Sequence, residues 1–186
     1  MFIAELTFDE LPSSVIERAR LVMLDTIGVI LAGKDAPEVA ALAAWVGSEA
    51  PSAALAALFA GAAGVVHELD EGNARARGHP AIHVIPAVLT EAARRNQTGR
   101  EVLTAVVGGY EVAARIGAAV QLRSGVHPHG TWGICGAASG VARLMNLDGA
   151  RTANAIRNAA CLSMSPPFEA VRDGASVRHL WSGIAN

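Results

Sequence analysis

The stretch "TGREVLTAVVGGYEVAARIG", residues 98–117, is the clearest indication of the fold. Thr98 is followed three residues later by Glu101, which is the spacing of a capping box at the start of a helix. The apolar side chains after it recur at the helical period, at Leu103, Val106, Val107, Tyr110, Ala113, Ala114 and Gly117. We therefore predict one long amphipathic helix, weakened locally by Gly108 and Gly109.

The helical period continues on both sides of this stretch, with Pro, Gly, Asn or Asp at the ends of the segments. It predicts helices over residues 12–33, 37–46, 51–66, 83–95, 131–146 and 149–161, and a loop over 163–176. Gly133, Gly136 and Gly140 fall on one helix face, where small residues allow close packing. No alternating pattern of β-branched residues indicates a strand. The prediction is an all-α helical bundle.

Composition excludes several classes of protein. The chain has 186 residues, one domain of ordinary size, and a net charge of -2 without a run of Lys or Arg, so nucleic acid is not expected as a partner. Its apolar segments are interrupted by Glu101, Glu111 and Arg115, and we predict no membrane span. The start has no basic region typical of a secretory signal, so we expect a cytoplasmic protein. Cys135 and Cys161 lie in apolar surroundings typical of structural cysteines.

A second stretch, "HELDEGNARARGHPAIHV" at residues 67–84, concentrates charge and imidazole in an otherwise aliphatic chain. All six histidines of the protein fall in three places, which are His67, His79 and His83, then His127 and His129, then His179. Each place is a loop or a helix end, where functional groups are often held by a rigid scaffold. The simpler interpretation is that polar residues collect at helix ends in any helical protein.

These residues are compatible with more than one kind of site. His79 and His83 are four apart and could share a metal with Asp70 or His67, but that spacing is common by chance, and we predict no metal. A nucleophile elbow, a phosphate loop and a dinucleotide fingerprint are all missing from the sequence. The remaining constellation combines acid, base and cation, in Asp70, His79, His127, Arg75, Arg77 and Arg178. These residue types suit removal of a proton next to a carboxylate, with arginines holding the anionic substrate.

Several ordered motifs resemble the MmgE/PrpD family, which includes 2-methylcitrate dehydratase, cis-aconitate decarboxylase and iminodisuccinate epimerase. They are "ARLVMLDTIGVILAG", "HELDEGN", "GHPAIHVIPAVLTEA", "GREVLTAVVGGYEVAARIG" and "GVHPHGTWGICGAASGVARLMNLD". The resemblance implies that residues 1–186 are the N-terminal helical domain, followed in complete members by an α+β domain that this chain lacks. Because the sequence ends abruptly at Asn186, we expect the chain to be incomplete.

The resemblance also implies roles for individual residues. The family's Asp falls on Asp70, its His-Pro on His79 and Pro80, and the His of its Gly-x-His segment on His127. Its active-site Lys falls on Arg178, and Arg can clamp a carboxylate but is a poor proton shuttle. Residues 71–74 read "EGNA", where the decarboxylase-type pattern has a second acid and a Thr. Decarboxylation is therefore not expected.

We accordingly predict Asp70, His79 and His127 as catalytic residues and Arg178, His83 and Arg77 as substrate-binding residues, with no cofactor. His83 could equally cap its helix or pair with Asp70, and Arg75 and Arg77 could be solvated loop charges. His129 replaces a small residue of the family pattern and is interpreted as a peculiarity of this branch.

The predicted activity is a dehydratase acting on a di- or tricarboxylate such as 2-methylcitrate, in a homodimer. The alternatives are an epimerase of an amino- or imino-dicarboxylate, and a truncated or split subunit without activity of its own.

Overall fold

The computed structural model describes residues 2–46 and 52–186. Helix is the only regular secondary structure in those two ranges apart from two isolated β-bridges. The helices are α1 Phe2–Glu5, α2 Ser13–Gly33, α3 Pro37–Val46, α4 Ala53–Gly64, α5 Pro80–Arg95, α6 Gly99–Ala119, α7 Gly133–Leu144, α8 Gly149–Cys161, α9 Phe168–Arg172 and α10 Arg178–Ile184, with a 3-10 turn at Phe8–Glu10. The predicted all-α fold is confirmed.

Helix α6 begins as its sequence predicts. Thr98 Oγ1 accepts a hydrogen bond from the backbone N–H of Glu101, and Glu101 Oε2 accepts one from the backbone N–H of Thr98 at 2.7 Å. Gly108 and Gly109 do not interrupt the helix. A methyl group on Gly109 would lie 2.8 Å from the carbonyl oxygen of Gly136, so these glycines are points where α1 and α7 approach closely.

The core lies where α5, α6 and α7 pack together. Its buried side chains are small and aliphatic, including Val84, Val88, Ala105, Val106 and Ala113. The predicted glycine face of α7 is confirmed, since a methyl group on Gly140 would lie 2.7 Å from Val88 of α5. By length and composition α6 could also cross a bilayer, but eight of its residues are buried in the bundle, as in the core helix of a folded domain.

Some predicted boundaries differ from those in the structure. Helix α5 begins at Pro80 instead of His83, because proline at the first helical position is pre-organised for the helix. The predicted loop after Cys161 contains α9, which begins directly after Pro167. The predicted start at Pro51 lies outside the described residues, and α4 is capped by Ser52, whose side chain accepts a hydrogen bond from Leu55 N–H.

Helix α5 contains Pro86, which has no N–H to donate to the carbonyl oxygen of Ile82. The side chain of Asn186 replaces that hydrogen bond, because its Nδ2 donates to Ile82 O at 3.0 Å. Its Oδ1 accepts a hydrogen bond from the Ala87 backbone N–H at 3.2 Å. Ser182 fixes α10 on the other side by donating to Gly61 O of α4 at 2.9 Å. These contacts join α4, α5 and α10 beside the charged loop.

Candidate functional site

The loop between α4 and α5 is closed on itself by Asn73. The backbones of Asn73 and Gly78 bond to each other, and Asn73 Oδ1 accepts hydrogen bonds at 3.0 Å from the backbone N–H groups of Arg75 and Ala76. Gly78 has to be small because a methyl group there would lie 2.7 Å from the Trp132 ring. This closed loop places Asp70 and Glu71 beside His79.

Asp70 and His79 form the centre of the candidate site. Asp70 Oδ2 lies 3.0 Å from His79 Nδ1, with its side chain 3% exposed and that of His79 31% exposed. The same Nδ1 lies 3.0 Å from the carbonyl oxygen of Glu71 and 3.4 Å from that of Asp70. A nitrogen surrounded by oxygens carries a proton, so the neutral ring keeps its lone pair on Nε2.

A second loop, at residues 126–131, brings two more histidines to Asp70. His127 is anchored by its backbone N–H, which donates to Pro166 O at 2.9 Å. His129 Nε2 lies 3.5 Å from Asp70 Oδ2. The ring of His129 is 4.9 Å from that of His79 and 4.7 Å from that of His127, measured between centroids. The two remote segments therefore meet, with His129 between them.

Backbone N–H groups of this second loop set the tautomers of two imidazoles. His127 Nδ1 accepts from the backbone N–H of His129 at 3.2 Å, which leaves the ring proton on Nε2. His83 Nε2 accepts from the Gly130 N–H at 3.2 Å, and its Nδ1 donates to the carbonyl oxygen of His79 at 2.8 Å. His83 is fully buried and both of its ring nitrogens are occupied. Its contacts are those of a residue that holds the two loops together.

The site separates charged from neutral groups. Burial alone would raise the pKa of Asp70, but the imidazoles of His129 and His79 offset it and hold that pKa well below the ordinary range. The hydrogen-bonding contact with Asp70 raises the pKa of His79. Burial lowers the pKa of His83 to about 3 and that of His127 to about 4. An ionised Asp70 thus faces the neutral imidazoles of His83 and His127, and His79 is more basic than either of them.

The predicted arginines lie at the edge of the site. Arg178, at the start of α10, pairs with Glu68, two residues before Asp70. Arg77 is exposed and donates from Nη2 to Val120 O at 2.6 Å. Arg77 also lines a cavity of about 370 Å³ with Arg123 and Ser124, and the cavity wall includes Phe168, whose ring lies 5.2 Å from that of His127. Substrate binding by Arg77, Arg178 and His83 stays a prediction.

Asp70, His79 and His129 are the described residues close enough together to share a metal ion, with ligand atoms within 4.8 Å of one another. A metal would need a bare lone pair on each nitrogen. His79 Nδ1 instead faces two carbonyl oxygens and a carboxylate, which favours a protonated nitrogen. The arrangement suits proton transfer better than metal binding.

Two features of the site were missed in the sequence. His129 was interpreted as a peculiarity of this branch, although it contacts three other imidazoles. Glu71 was not singled out, yet its Oε1 accepts a hydrogen bond from Tyr110 Oη at 2.5 Å and its Oε2 accepts from the Ala81 N–H at 3.2 Å. The only signal in the sequence for His129 was its position two residues after His127.

In the described residues, an all-helical domain gathers a buried carboxylate and several imidazoles at its loops, an arrangement suited to acid–base chemistry. Residues 1–182 match the family model "MmgE/PrpD N-terminal domain", and the chain belongs to this family. A comparison with curated proteins gives no significant match. Family membership points to dehydratase-like or related chemistry.

Proposed function

We propose that this site supports the loss of water from a small di- or tricarboxylate such as 2-methylcitrate, with Asp70, His79 and His127 as its catalytic residues. The observation that carries the proposal is the pairing of His79 Nδ1 with the buried Asp70 carboxylate at 3.0 Å. That pairing leaves His79 Nε2 free to accept a proton and stabilises the imidazolium that forms. We also propose that the protein acts in the cytoplasm as a homodimer.

The reaction follows from these protonation states. His79 Nε2 takes the proton from the carbon next to a carboxylate, and the C–H electron pair forms the C=C bond as the C–O bond breaks. The departing hydroxide takes up a proton, which His79 can return, so that water and an alkene acid leave. In this proposal the Nε2–H of His127 donates a hydrogen bond to the developing negative charge.

The cavity beside His127 suits the anionic end of such a substrate. It is lined by Arg77 and Arg123, and none of the described residues that form its wall is acidic. Arg77 directly precedes the Gly78–His79 segment, which connects the cavity wall to the proposed base. We therefore propose that Arg77 holds a substrate carboxylate while His79 removes the proton. Arg178 is already paired with Glu68, and a role for it requires that this ion pair open.

The experiment incubates the 186-residue protein with 2-methylcitrate in D₂O. It follows alkene formation by ultraviolet absorbance, deuterium incorporation by mass spectrometry, and binding by the histidine NMR signals. We expect His79→Gln to abolish proton exchange and Arg77→Gln to weaken binding about tenfold, the usual cost of one charge-assisted hydrogen bond. Arg75→Gln is the matched control, since Arg75 is an exposed neighbour in the same loop.

The possible outcomes separate the proposals. Exchange without alkene formation would favour the epimerase alternative. Binding without exchange would favour a split subunit. If citrate-like acids neither bind nor exchange, or if His79→Gln exchanges at the wild-type rate, the proposed site is wrong.

A further inference from the structure

His129 occupies the middle of the cluster, and its ring Nε2 has no hydrogen-bonding partner among the residues that the structure describes. The residue is 4% exposed, and among the described residues its Nε2 is a buried nitrogen without a hydrogen-bonding partner that faces Asp70 Oδ2. These two atoms lie 3.5 Å apart. Asp70 Oδ2 also contacts His79 Nδ1 at 3.0 Å, and a carboxylate oxygen can accept more than one hydrogen bond. Buried polar atoms are nearly always hydrogen-bonded in folded proteins, so an unpaired His129 Nε2 that faces this oxygen indicates a bond formed in a working state.

We infer that His129 is a positioning residue that shares the Asp70 carboxylate with His79, its Nε2–H closing onto Asp70 Oδ2 when substrate binds. The inference rests on the proposed function of this site and adds a residue to it. In this arrangement one buried carboxylate accepts from two imidazoles. His129 thereby limits how strongly Asp70 holds the proton of His79.

The neutral state of His129 supports this arrangement. Burial lowers its pKa, although Asp70 opposes that effect, so the ring is an uncharged donor near neutral pH. The titratable groups that face His79 are Asp70, Glu71, His83, His127 and His129. Of these, Asp70 raises the pKa of His79 most, through its carboxylate, and the backbone carbonyl of Glu71 adds a smaller contribution.

His129 also acts through its backbone, because its N–H donates to His127 Nδ1. A substitution at this position keeps that N–H and changes only the side chain that faces Asp70. The variants at residue 129 therefore test the Asp70 contact while the tautomer of His127 is preserved. This separation makes the side chain's role measurable.

The experiment compares His129→Leu with His129→Gln. Leu fills space without a donor, whereas the Gln amide can again donate to Asp70. We expect His129→Leu to raise the pKa of His79, measured by NMR titration, and to move the ascending limb of the pH–rate profile to higher pH, because Asp70 then interacts with His79 alone. Turnover should fall about tenfold or more, within the range for general acid–base contributions. His129→Gln should restore both properties toward wild type.

His67→Leu is the control, because His67 is exposed and contacts only the Ala32 carbonyl oxygen among its described polar partners. It should leave the His79 titration unchanged. If folded His129→Leu titrates like wild type, or if His129→Gln behaves like His129→Leu, the inference is overturned, and His129 only fills space. A shifted His79 titration in a protein that does not process carboxylic acids would keep the inference and reject the proposed function.

Discussion

Asp70 and Glu71 follow each other in one loop, and their carboxylates lie in opposite chemical surroundings. Asp70 faces the imidazoles of His79 and His129, which hold its pKa below the ordinary range despite burial. Burial raises the pKa of Glu71, although Tyr110 and the Ala81 N–H donate to it. The comparison teaches that similar burial shifts the pKa in opposite directions when one carboxylate has basic partners and the other has neutral ones.

The two carboxylates also face different spaces. Glu71 lines a cavity of about 450 Å³ together with Arg18 and Glu111, on the α2–α6 side of the loop. Asp70 is nearly enclosed by the histidine cluster. We interpret Asp70 as the functional carboxylate and Glu71 as the residue that fixes the loop to α6 through Tyr110.

The largest expected effect is the loss of turnover when the Asp70 carboxylate is removed. Asp70→Asn removes the charge that stabilises a protonated His79, and we expect turnover to fall roughly 10³-fold, within the range of general acid–base contributions. Glu71→Gln keeps an acceptor for Tyr110 and should change turnover less than about threefold. Steady-state rates of both variants check this. Equal losses would show that the two carboxylates do not differ in function.

The second prediction concerns the packing that holds the Asp70 side of the loop. Gly133→Ala would place a methyl group 2.7 Å from Cδ2 of the fully buried His83 ring. We expect a loss of about 2 kcal/mol in the free energy of unfolding, as for overpacked cores. Gly72→Ala is the matched control beside Glu71, because among the described residues no heavy atom beyond Gly72 and its chain neighbours lies within 4 Å of the added methyl group. Urea unfolding of both variants gives the difference, and similar stabilities would contradict the close packing.

The smallest effect is on the pH dependence of stability. Asp70 has a lowered pKa in the folded state, so its contribution is present above its ordinary value of 3.8 and is lost as the pH falls. Glu71 has a raised pKa, so its protonated form favours folding and its contribution is lost as the pH rises above 4.5. In Asp70→Asn, the free energy of unfolding should therefore fall less on acidification than in wild type, by on the order of 1 kcal/mol.

Glu71→Gln should have the opposite consequence, because it removes a carboxylate that is costly to ionise in the folded state. Its stability relative to wild type should therefore be greater at neutral pH than near pH 4. Chemical unfolding at both pH values measures this. Parallel pH profiles for the two variants would mean that the two carboxylates titrate alike.

The sequence predicted those parts of the protein that depend on local pattern. The capping box at Thr98 and the glycine face of α7 depend on residues three or four apart, and both predictions are confirmed. Helix α9 was missed because residues 163–176 were predicted to be a loop, whereas Pro167 within them directly precedes a helix. Local rules gave the helices and left their ends uncertain by a few residues.

The site required contacts that local rules do not contain. Glu71 and Tyr110 are 39 residues apart, and only the packing of α6 beside the loop brings them together. His129 lies beside Asp70 because the backbone of its loop bonds to His83 and Pro166. Asp70, His79 and His127 came from the family resemblance, and their proximity follows from the fold.

The repair of helix α5 at Pro86 has a consequence for the order of folding. The two bonds from Asn186 span 99 and 104 residues of sequence, so they form only after most of the chain has collapsed. Until then the first turns of α5, which include His83, lack that support. The imidazole cluster is therefore expected to become rigid late, and hydrogen exchange during refolding should protect Ala87 after the amides of α6.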